Sequence, residues 1–291
     1  MSSLLVHELE QQLRQLETQL AESFMQTVEL LSTLVAAVER FYEGSHCRFI
    51  GYKAAEVARR LGLSEVEVFE IQVAGLLHDI GKIGYPDALL QKFPTEMTAE
   101  ERHLYERHPE LGWHILRKHS GLQTVAEIVL QHHERLDGSG FPRHLRGRQI
   151  HIGAAIIAVV DVFHNALYRR RREARYRHAA PTAPVPSPEE QQRYIQVLRH
   201  LEEKAGSVYH PAVVRTFIEL VEEERRALGQ RLLQAVAVNQ LREGMVVAEN
   251  YYTPYGLLVI AQGERLTSAM LPVLVRFAEL GEIPHKLLVW V

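Results

Sequence analysis

Residues 64–82 read SEVEVFEIQVAGLLHDIGK. Ser64, followed three residues later by Glu67, has the spacing of a capping box and predicts that a helix begins here. The apolar residues that follow continue this helix to His78 and Asp79. An imidazole beside a carboxylate on an apolar helix is costly to bury unless the pair is hydrogen-bonded, ion-paired or metal-bound. The stretch therefore predicts a helical fold that carries ionisable groups into its interior.

Further helices are predicted on both sides, so the fold class of the central part is mainly α. Thr98 and Glu101 repeat the capping-box spacing, and Pro109 suits the first turn of a following helix. The remaining predicted helices cover residues 4–40, 46–61, 125–134, 152–167, 189–204 and 211–228. A Pro- and Ala-rich segment, residues 179–188, predicts an exposed loop.

The predicted N-terminal helix carries a seam of residues at alternating steps of four and three, which is the heptad spacing of a coiled coil. The seam consists of Leu9, Leu13, Leu16, Leu20, Ser23, Thr27, Leu30, Leu34 and Ala37. Its middle is weakened by the two hydroxyl residues. Two interpretations stay open: a coiled-coil-like helix that forms a parallel homodimer, favoured for residues 4–25, or a helix that packs this stripe on its own domain.

The composition changes after about residue 234, where β-branched and aromatic residues predict short strands around one short helix. We therefore expect three units. Residues 1–42 form an N-terminal helix with a role in dimerisation, residues 43–230 form a helical domain, and residues 231–291 form a small β-rich α/β module. A unit of about 55 residues is small for an independent core, so we expect this module to dock on the helical part.

Bulk composition excludes several classes of function. A formal net charge of -3 argues against binding to DNA or to a membrane surface. The single cysteine, Cys47, excludes an internal disulfide and fits a reducing compartment. No signal peptide is recognised, and the longest apolar run, residues 154–160, is too short to span a bilayer. We therefore expect a cytoplasmic protein.

The chain has 16 histidines, and several of them stand at predicted helix ends beside acids. A single histidine in such a position is more often a cap or a hydrogen-bonded core residue than a metal ligand. Asp161 is more informative, because valines flank it on both sides and would bury its carboxylate. A shared dinuclear metal site accounts for both buried acids if Asp79 bridges two cations and imidazoles fill the remaining positions. Mixed histidine and carboxylate ligands suit Fe, Mn or Zn.

The motifs HDIGK at residues 78–82 and HHERLDGSGFP at residues 132–142 resemble those of the HD-GYP family, a branch of the HD-domain metal-dependent phosphohydrolases. The spaced set in one chain is highly specific, whereas a bare His-Asp pair is not. The resemblance covers residues 46–161 and continues more loosely through residues 204–214. The C-terminal stretch is similar to small modules appended to such proteins. The resemblance implies an HD-domain helical bundle.

The resemblance also implies hydrolysis of cyclic di-GMP to linear pGpG, and in some members on to GMP, with divalent metal ions as cofactors. Iron or manganese is expected first, and zinc, nickel or cobalt are alternatives. Asp79 and Lys82 match the catalytic residues, and Lys82 lies one turn past His78, placed to contact a phosphate oxygen or the bridging hydroxide. The residues that match the metal ligands of the family are His46, His78, Asp79, His108, His132, His133 and Asp161.

Gly140, Phe141 and Pro142 match the substrate-binding GYP signature, but phenylalanine stands at the tyrosine position. This keeps the ring and removes a hydroxyl, which costs about 0.5–1.5 kcal/mol if that hydroxyl makes a neutral hydrogen bond. Members with three metals carry a glutamate one turn before the first histidine, His46, and here that position is Tyr42. We therefore expect two metals, and pGpG as the main product.

The stretch after Asp161 departs further from the family, because His164 replaces an aspartate and an arginine run replaces a short loop. This run has two interpretations: a cationic rim that binds a doubly charged dinucleotide, or solvated cations at a helix end. The candidates for substrate contact in the run are Arg169, Arg172 and Arg175.

Three functions therefore stay open. The first is an active cyclic di-GMP phosphodiesterase that forms a homodimer through its N-terminal helix. The second is a catalytically weak signalling module that binds the nucleotide or a GGDEF-domain partner, and Phe141 and the altered stretch 164–177 support it. The third is an HD phosphohydrolase for another nucleotide, against which the HHExxDGxG motif argues.

Overall fold

The computed structural model describes residues 2–38, 46–168, 188–229, 233–255 and 258–291. The helices are α1 Ser2–Val38, α2 His46–Arg60, α3 Glu65–Leu77, α4 Asp87–Leu90, α5 Ala99–Tyr105, α6 His108–Leu116, α7 Gln123–Gln131, α8 Ile152–Tyr168, α9 Pro188–Lys204, α10 Pro211–Gly229 and α11 Met270–Glu279. The strands are β1 Leu233–Ala237, β2 Val246–Val247, β3 Tyr251–Tyr252, β4 Leu258–Ile260 and β5 Lys286–Trp290. The predicted fold class, mainly α with a small β-rich C-terminal module, is confirmed.

Helix α8 lies in the middle of the helical core because its apolar side chains occur on all sides, as in an enclosed helix. It packs against α2, α3, α7, α9 and α10. Its buried residues include Ala154, Ile156, Ile157, Val159 and Val160. Since the helix is enclosed, Asp161 in its second half is carried into the interior, where it is 4% exposed.

Helices α2 and α3 pack closely at two glycines. A Cβ atom on Gly75 would lie 2.6 Å from the Cα atom of Gly51, so neither position has room for a side chain at this crossing. The predicted capping box is present at the start of α3. The close crossing brings the start of α2 beside the end of α3, and these two helix ends carry His46 and His78.

Helix α1 presents two different faces. Val28 and Val35 are buried in the helical core, and the Glu29 carboxylate accepts a hydrogen bond from the Tyr52 hydroxyl of α2 at 2.5 Å. The heptad seam lies on another face, and its described leucines are between 55% and 72% exposed. These leucines are Leu13, Leu16, Leu20, Leu30 and Leu34. The face of α1 that packs on the domain is therefore not the seam.

The C-terminal module has its own sheet and core. Strand β5 lies between β1 and β2 in an antiparallel sheet, and β3 pairs with β4. The register aligns both Leu233 and Val246 with Trp290. The core of the module includes Val247, Leu266, Leu287 and Val289. An ion pair of 2.7 Å between Arg48 and Glu264 joins the module to α2.

The predicted helices 46–61, 189–204 and 211–228 agree with α2, α9 and α10 to within one residue at each end. The predicted domain boundaries at residues 42–43 and 230–231 lie outside the described residues and stay predictions. None of the described helices is long and apolar enough to cross a membrane.

The two faces of α1 generate a stability prediction. Val35→Asp should lower the free energy of unfolding by roughly 3 kcal/mol or more, because it places a carboxylate in the apolar core. The matched control is Gln26→Asp at an exposed position of α1 outside the heptad seam, which should cost less than about 1 kcal/mol. Urea unfolding measures both. Equal effects of the two substitutions would contradict the packing of α1 on the helical domain.

Candidate metal centre

All seven predicted metal ligands lie in one cluster at the ends or in the middle of helices. The histidines stand at the first residue of α2, directly after α3, at the first residue of α6 and directly after α7, while one aspartate follows α3 and the other lies in α8. They are His46, His78, Asp79, His108, His132, His133 and Asp161. Residues far apart in the sequence thus place their polar atoms in one small volume.

Asp79 lies at the centre of this cluster, and its two oxygens face different histidines. Its Oδ2 atom is 3.2 Å from Nε2 of His78 and 3.9 Å from Nε2 of His46. Its Oδ1 atom is 3.2 Å from Nε2 of His108 and 3.9 Å from Nε2 of His132. The carboxylate therefore belongs to two ligand groups at once.

The first group is completed by Asp161 and the second by His133. The Oδ1 atom of Asp161 is 3.3 Å from Nε2 of His46 and 4.0 Å from Nε2 of His78. The Nε2 atom of His133 is 3.1 Å from that of His108. We name the cluster of His46, His78, Asp79 and Asp161 the first group, and that of Asp79, His108, His132 and His133 the second group.

The orientation of three histidines is set by the main chain. Each Nδ1 atom donates a hydrogen bond to the carbonyl oxygen three residues earlier: His78 to Gly75 at 2.9 Å, His108 to Tyr105 at 2.6 Å, and His132 to Val129 at 2.6 Å. A carbonyl oxygen only accepts, so the hydrogen of each neutral ring sits on Nδ1. The Nε2 atoms therefore present lone pairs to the centre.

This arrangement fits divalent cations. The Nε2 atoms of His108 and His132 are 3.4 Å apart, and neither neutral ring has a hydrogen there to share with the other. The Oδ1 atom of Asp79 is buried, and no hydrogen-bond donor among the described residues satisfies it. A cation placed among these atoms would satisfy all three. Nitrogen and carboxylate donors together suit iron, manganese or zinc.

Burial and neighbouring charges shift the pKa values of the cluster. Burial raises the pKa of Asp79, but the neighbouring imidazole of His78 and the ammonium group of Lys82 outweigh burial and hold this pKa well below its usual value. Burial likewise opposes ionisation of Asp161, but the neighbouring imidazole of His46 outweighs burial and lowers the pKa of Asp161. Burial is the main cause that lowers the pKa values of the second-group imidazoles, which are those of His108, His132 and His133. The acids are thus ionised and these imidazoles neutral, as metal ligands must be.

Lys82 lies at the edge of the cluster. It ends the short 3₁₀ turn Ile80–Lys82, and its Nζ atom forms an ion pair with Asp79. The same Nζ atom lies 5.3 Å from the centre of the Tyr105 ring. Lys82 is only 4% exposed, so its charge is held next to the shared carboxylate.

A tight elbow follows the two adjacent histidines. The buried Glu134 carboxylate accepts hydrogen bonds from the backbone N–H groups of Arg143, at 2.7 Å, and Leu145, at 2.9 Å. A Cβ atom on Gly140 would lie 2.4 Å from the carbonyl oxygen of His133, so this position requires glycine. Glu134 and the glycine together hold the elbow against the cluster.

The ring of Phe141 packs on the second group. Its centroid is 4.6 Å from that of His133 and 6.3 Å from that of His108, and the peptide bond to Pro142 is cis. The predicted substrate-contact residues Gly140, Phe141 and Pro142 therefore lie beside the predicted metal ligands. The ring acts here as an apolar wall, which is the role that phenylalanine retains without the hydroxyl.

Other predicted residues are not placed. Arg169, Arg172 and Arg175 lie outside the described residues, as does Tyr42. The structure also adds a contact that the sequence analysis missed. Asn165 donates a hydrogen bond from Nδ2 to Oδ1 of Asp161 at 2.7 Å. Its spacing of one helical turn from Asp161 was the available signal.

Comparison with known proteins identifies relatives of this chain. The model of the family described as "HD domain" matches residues 15–181. A cyclic di-GMP phosphodiesterase of Thermotoga maritima is 40% identical over 180 residues, which are 61% of this chain and 44% of that protein. The cyclic di-GMP phosphodiesterase response regulator RpfG of Xanthomonas campestris pv. campestris is 43% identical over 147 residues, which are 49% of this chain and 38% of that protein.

The name of a third relative specifies a different substrate. The 3'3'-cGAMP-specific phosphodiesterase 2 of Vibrio cholerae is 35% identical over 176 residues, which are 53% of this chain and 34% of that protein. In each of the three cases the chain spans less than half the length of the relative.

The lowered pKa values of the second-group imidazoles predict a pH dependence for the metal-free protein. An unfolded histidine has a pKa near 6.5, and here the folded values are lower. As pH falls below about 6.5 the unfolded state takes up protons first, so the free energy of unfolding should decrease, by up to roughly 1.4 kcal/mol per pH unit for each group. Urea unfolding between about pH 7.5 and 5.5 measures this.

Two variants test the assignment of this pH dependence. His132→Gln should reduce the slope, because one of the buried titrating rings is removed, whereas His119→Gln at an exposed position should leave it unchanged. A free energy of unfolding that stays constant or increases on acidification of the parent protein would contradict the neutral state of these rings.

Proposed function

Because the chain belongs to the HD domain family, we propose that it is a metal-dependent phosphodiesterase that hydrolyses cyclic di-GMP to pGpG. The observation that carries this proposal is the pair of ligand groups that share the Asp79 carboxylate. Two sites bridged by one carboxylate, in a water-excluding cluster, form the arrangement used for in-line displacement at phosphate esters. The names of the relatives support the substrate class, since two of them specify cyclic di-GMP and the third specifies 3'3'-cGAMP, which is also a cyclic dinucleotide.

The two ligand groups would each hold one divalent cation, with Asp79 bridging them. We propose iron or manganese in this chain, and zinc, nickel or cobalt would also match the nitrogen and oxygen donors. When bound, such a pair of cations supplies an activated water and a clamp for the phosphate oxygens. Every other part of the reaction falls to the side chains around the cluster.

Lys82 supplies a fixed positive charge at the edge of the cluster. It pairs with Asp79, and its position over the Tyr105 ring keeps the Nζ atom beside the shared carboxylate. A phosphodiester that approaches the cluster brings a negative charge, which increases on its oxygens as the reaction proceeds. A preorganised ammonium group in a buried setting stabilises that charge without further rearrangement.

The elbow would form one wall of the substrate site. Gly140 lets the backbone approach His133 closely, and the Phe141 ring covers the second group. We propose that this wall contacts the nucleotide and limits access of water. Arg169, Arg172 and Arg175 remain candidates for contact with the second phosphate, because they follow α8 in the sequence.

Turnover of cyclic di-GMP tests the proposed activity. The full chain, loaded with Fe or Mn under anaerobic, reducing conditions, should convert cyclic di-GMP to pGpG. Asp79→Ala should reduce the rate by roughly 10³-fold or more, because both ligand groups lose their shared carboxylate. His119→Ala, at an exposed position outside the cluster, is the matched control and should retain the parent rate. Product analysis by chromatography measures all three.

The same assay separates the alternatives. Binding of cyclic di-GMP by calorimetry, without turnover by any divalent metal, would contradict the proposed activity and favour a signalling module. Turnover of 3'3'-cGAMP or another nucleotide, in the absence of turnover of cyclic di-GMP, would keep the phosphodiesterase chemistry and correct the substrate.

We also propose that the heptad seam of α1 forms a homodimer. The seam leucines whose burial is described are exposed while another face of α1 packs on the helical domain, so the seam is available to a second copy. Each leucine buried from water would contribute about 1.5–3 kcal/mol, and the seam offers several at coiled-coil spacing. A second copy of α1 presents the same spacing and is therefore the partner that this stripe matches.

A triple substitution tests the homodimer. Changing Leu13, Leu16 and Leu20 to Glu should give a monomer by light scattering with unchanged metal content, because these leucines are exposed and none of them belongs to either ligand group. The matched control changes Gln11, Gln15 and Thr18 to Glu on the opposite side of the helix and should keep the dimer. A monomeric parent protein, or a triple seam variant that stays dimeric, would contradict the proposal.

A further inference from the structure

The ring of His46 contacts a histidine of another helix. Three other ligands donate from Nδ1 to a carbonyl oxygen three residues earlier on their own chain segment. His46 is the first residue of α2, and the residue three positions before it lies outside the described residues. The described partner of its Nδ1 atom is Nδ1 of His164, at 3.0 Å.

His164 is held in place by α8. It lies three residues after Asp161, on the same side of the helix, and is 3% exposed. Its ring packs on Phe49 with centroids 4.7 Å apart and on His46 with centroids 4.8 Å apart. One face of α8 therefore carries both the proposed ligand Asp161 and the residue His164, which contacts the proposed ligand His46. Asn165 adds a third contact from this face, the hydrogen bond to Asp161.

We propose that His164 is a positioning residue that orients His46 as a ligand of the first group. This rests on the proposed function, in which the cluster holds divalent cations. In the arrangement inferred, Nδ1 of His46 donates to Nδ1 of His164, and the His46 ring is left with its lone pair on Nε2. That Nε2 atom already lies 3.3 Å from Oδ1 of Asp161 and 3.2 Å from Nε2 of His78.

His164 bears on only one of the two ion sites. His46 is absent from the second group, whose histidines lie around the other oxygen of Asp79. Partners that orient a metal-bound histidine typically change metal affinity by roughly 10- to 100-fold when they are removed. Loss of the acceptor at position 164 should therefore weaken one ion and leave the other tightly bound.

The acceptor itself, and not the volume at this position, should decide the affinity. His164→Leu keeps a side chain of similar size without an acceptor, whereas His164→Gln retains a carbonyl oxygen that can accept from Nδ1 of His46. A carboxylate is a stronger, charged acceptor, so His164→Asp should bind the first-group ion at least as tightly as the parent protein. Phe163→Leu is the matched control, because Phe163 is buried on the same helix and packs on Phe49 and Phe217.

Metal titration of the stripped full-length protein tests the proposal without any turnover. Titration with Co(II), followed by absorption and by metal analysis, should give two ions for the parent and for Phe163→Leu. His164→Leu should retain the second-group ion tightly and bind the first-group ion roughly 10- to 100-fold more weakly. His164→Gln should restore the affinity for the first-group ion in part. The thermal unfolding temperature of each stripped variant reports on folding separately.

The outcomes separate the two proposals. Two equally tight ions in His164→Leu would overturn the role of His164, while the metal centre would stand. A parent protein that binds no divalent ion would contradict the proposed function itself. If His164→Leu does not fold, His164→Ala, which also lacks an acceptor, takes its place: weaker binding of the first-group ion by the folded variant supports the positioning role, and two equally tight ions overturn it.

Discussion

A carboxylate buried among imidazoles is the constraint on which the rest of this structure depends. Moving an ion such as Asp79 from water into a protein interior costs on the order of several kcal/mol, and a partner must offset that cost. The partners come from separate helices, and each helix has to begin or end at a defined residue for its ligand to reach the centre. The close crossing of α2 and α3 at Gly51 and Gly75 serves this requirement, because it brings two such helix ends together.

The hydrogen bonds at two helix ends both satisfy a backbone carbonyl group and orient a histidine ring. The last carbonyl groups of a helix have no partner within the helix, and ligands that follow it need a fixed ring orientation. His78 and His132 stand directly after α3 and α7 and donate to carbonyl oxygens of those helices, so each contact satisfies a carbonyl and fixes a ring. The stability of these helix ends and the geometry of the cluster are therefore linked.

The sequence predicted the parts of this molecule that depend on local pattern. A capping box predicted the start of α3, and the spaced motifs predicted candidate metal ligands that the structure places together. The contact between His46 and His164 joins positions 118 residues apart, and no local pattern encodes it. The buried face of α1 could not be predicted from the sequence for another reason. Its seam is the stronger apolar pattern, and which face is buried depends on the surface that the helix meets.

The two departures from the HD-GYP pattern differ in what they touch. Phe141 packs beside His133 with the two rings tilted, while Glu134 and Gly140 hold the elbow through backbone contacts that do not involve the missing hydroxyl. Its loss therefore leaves the shape of the elbow intact. His164 instead contacts His46, one of the proposed ligands, directly. The substitution that bears on the metal cluster is thus the one in α8, since it replaces a charged acceptor by an imidazole at the point where the orientation of His46 is set.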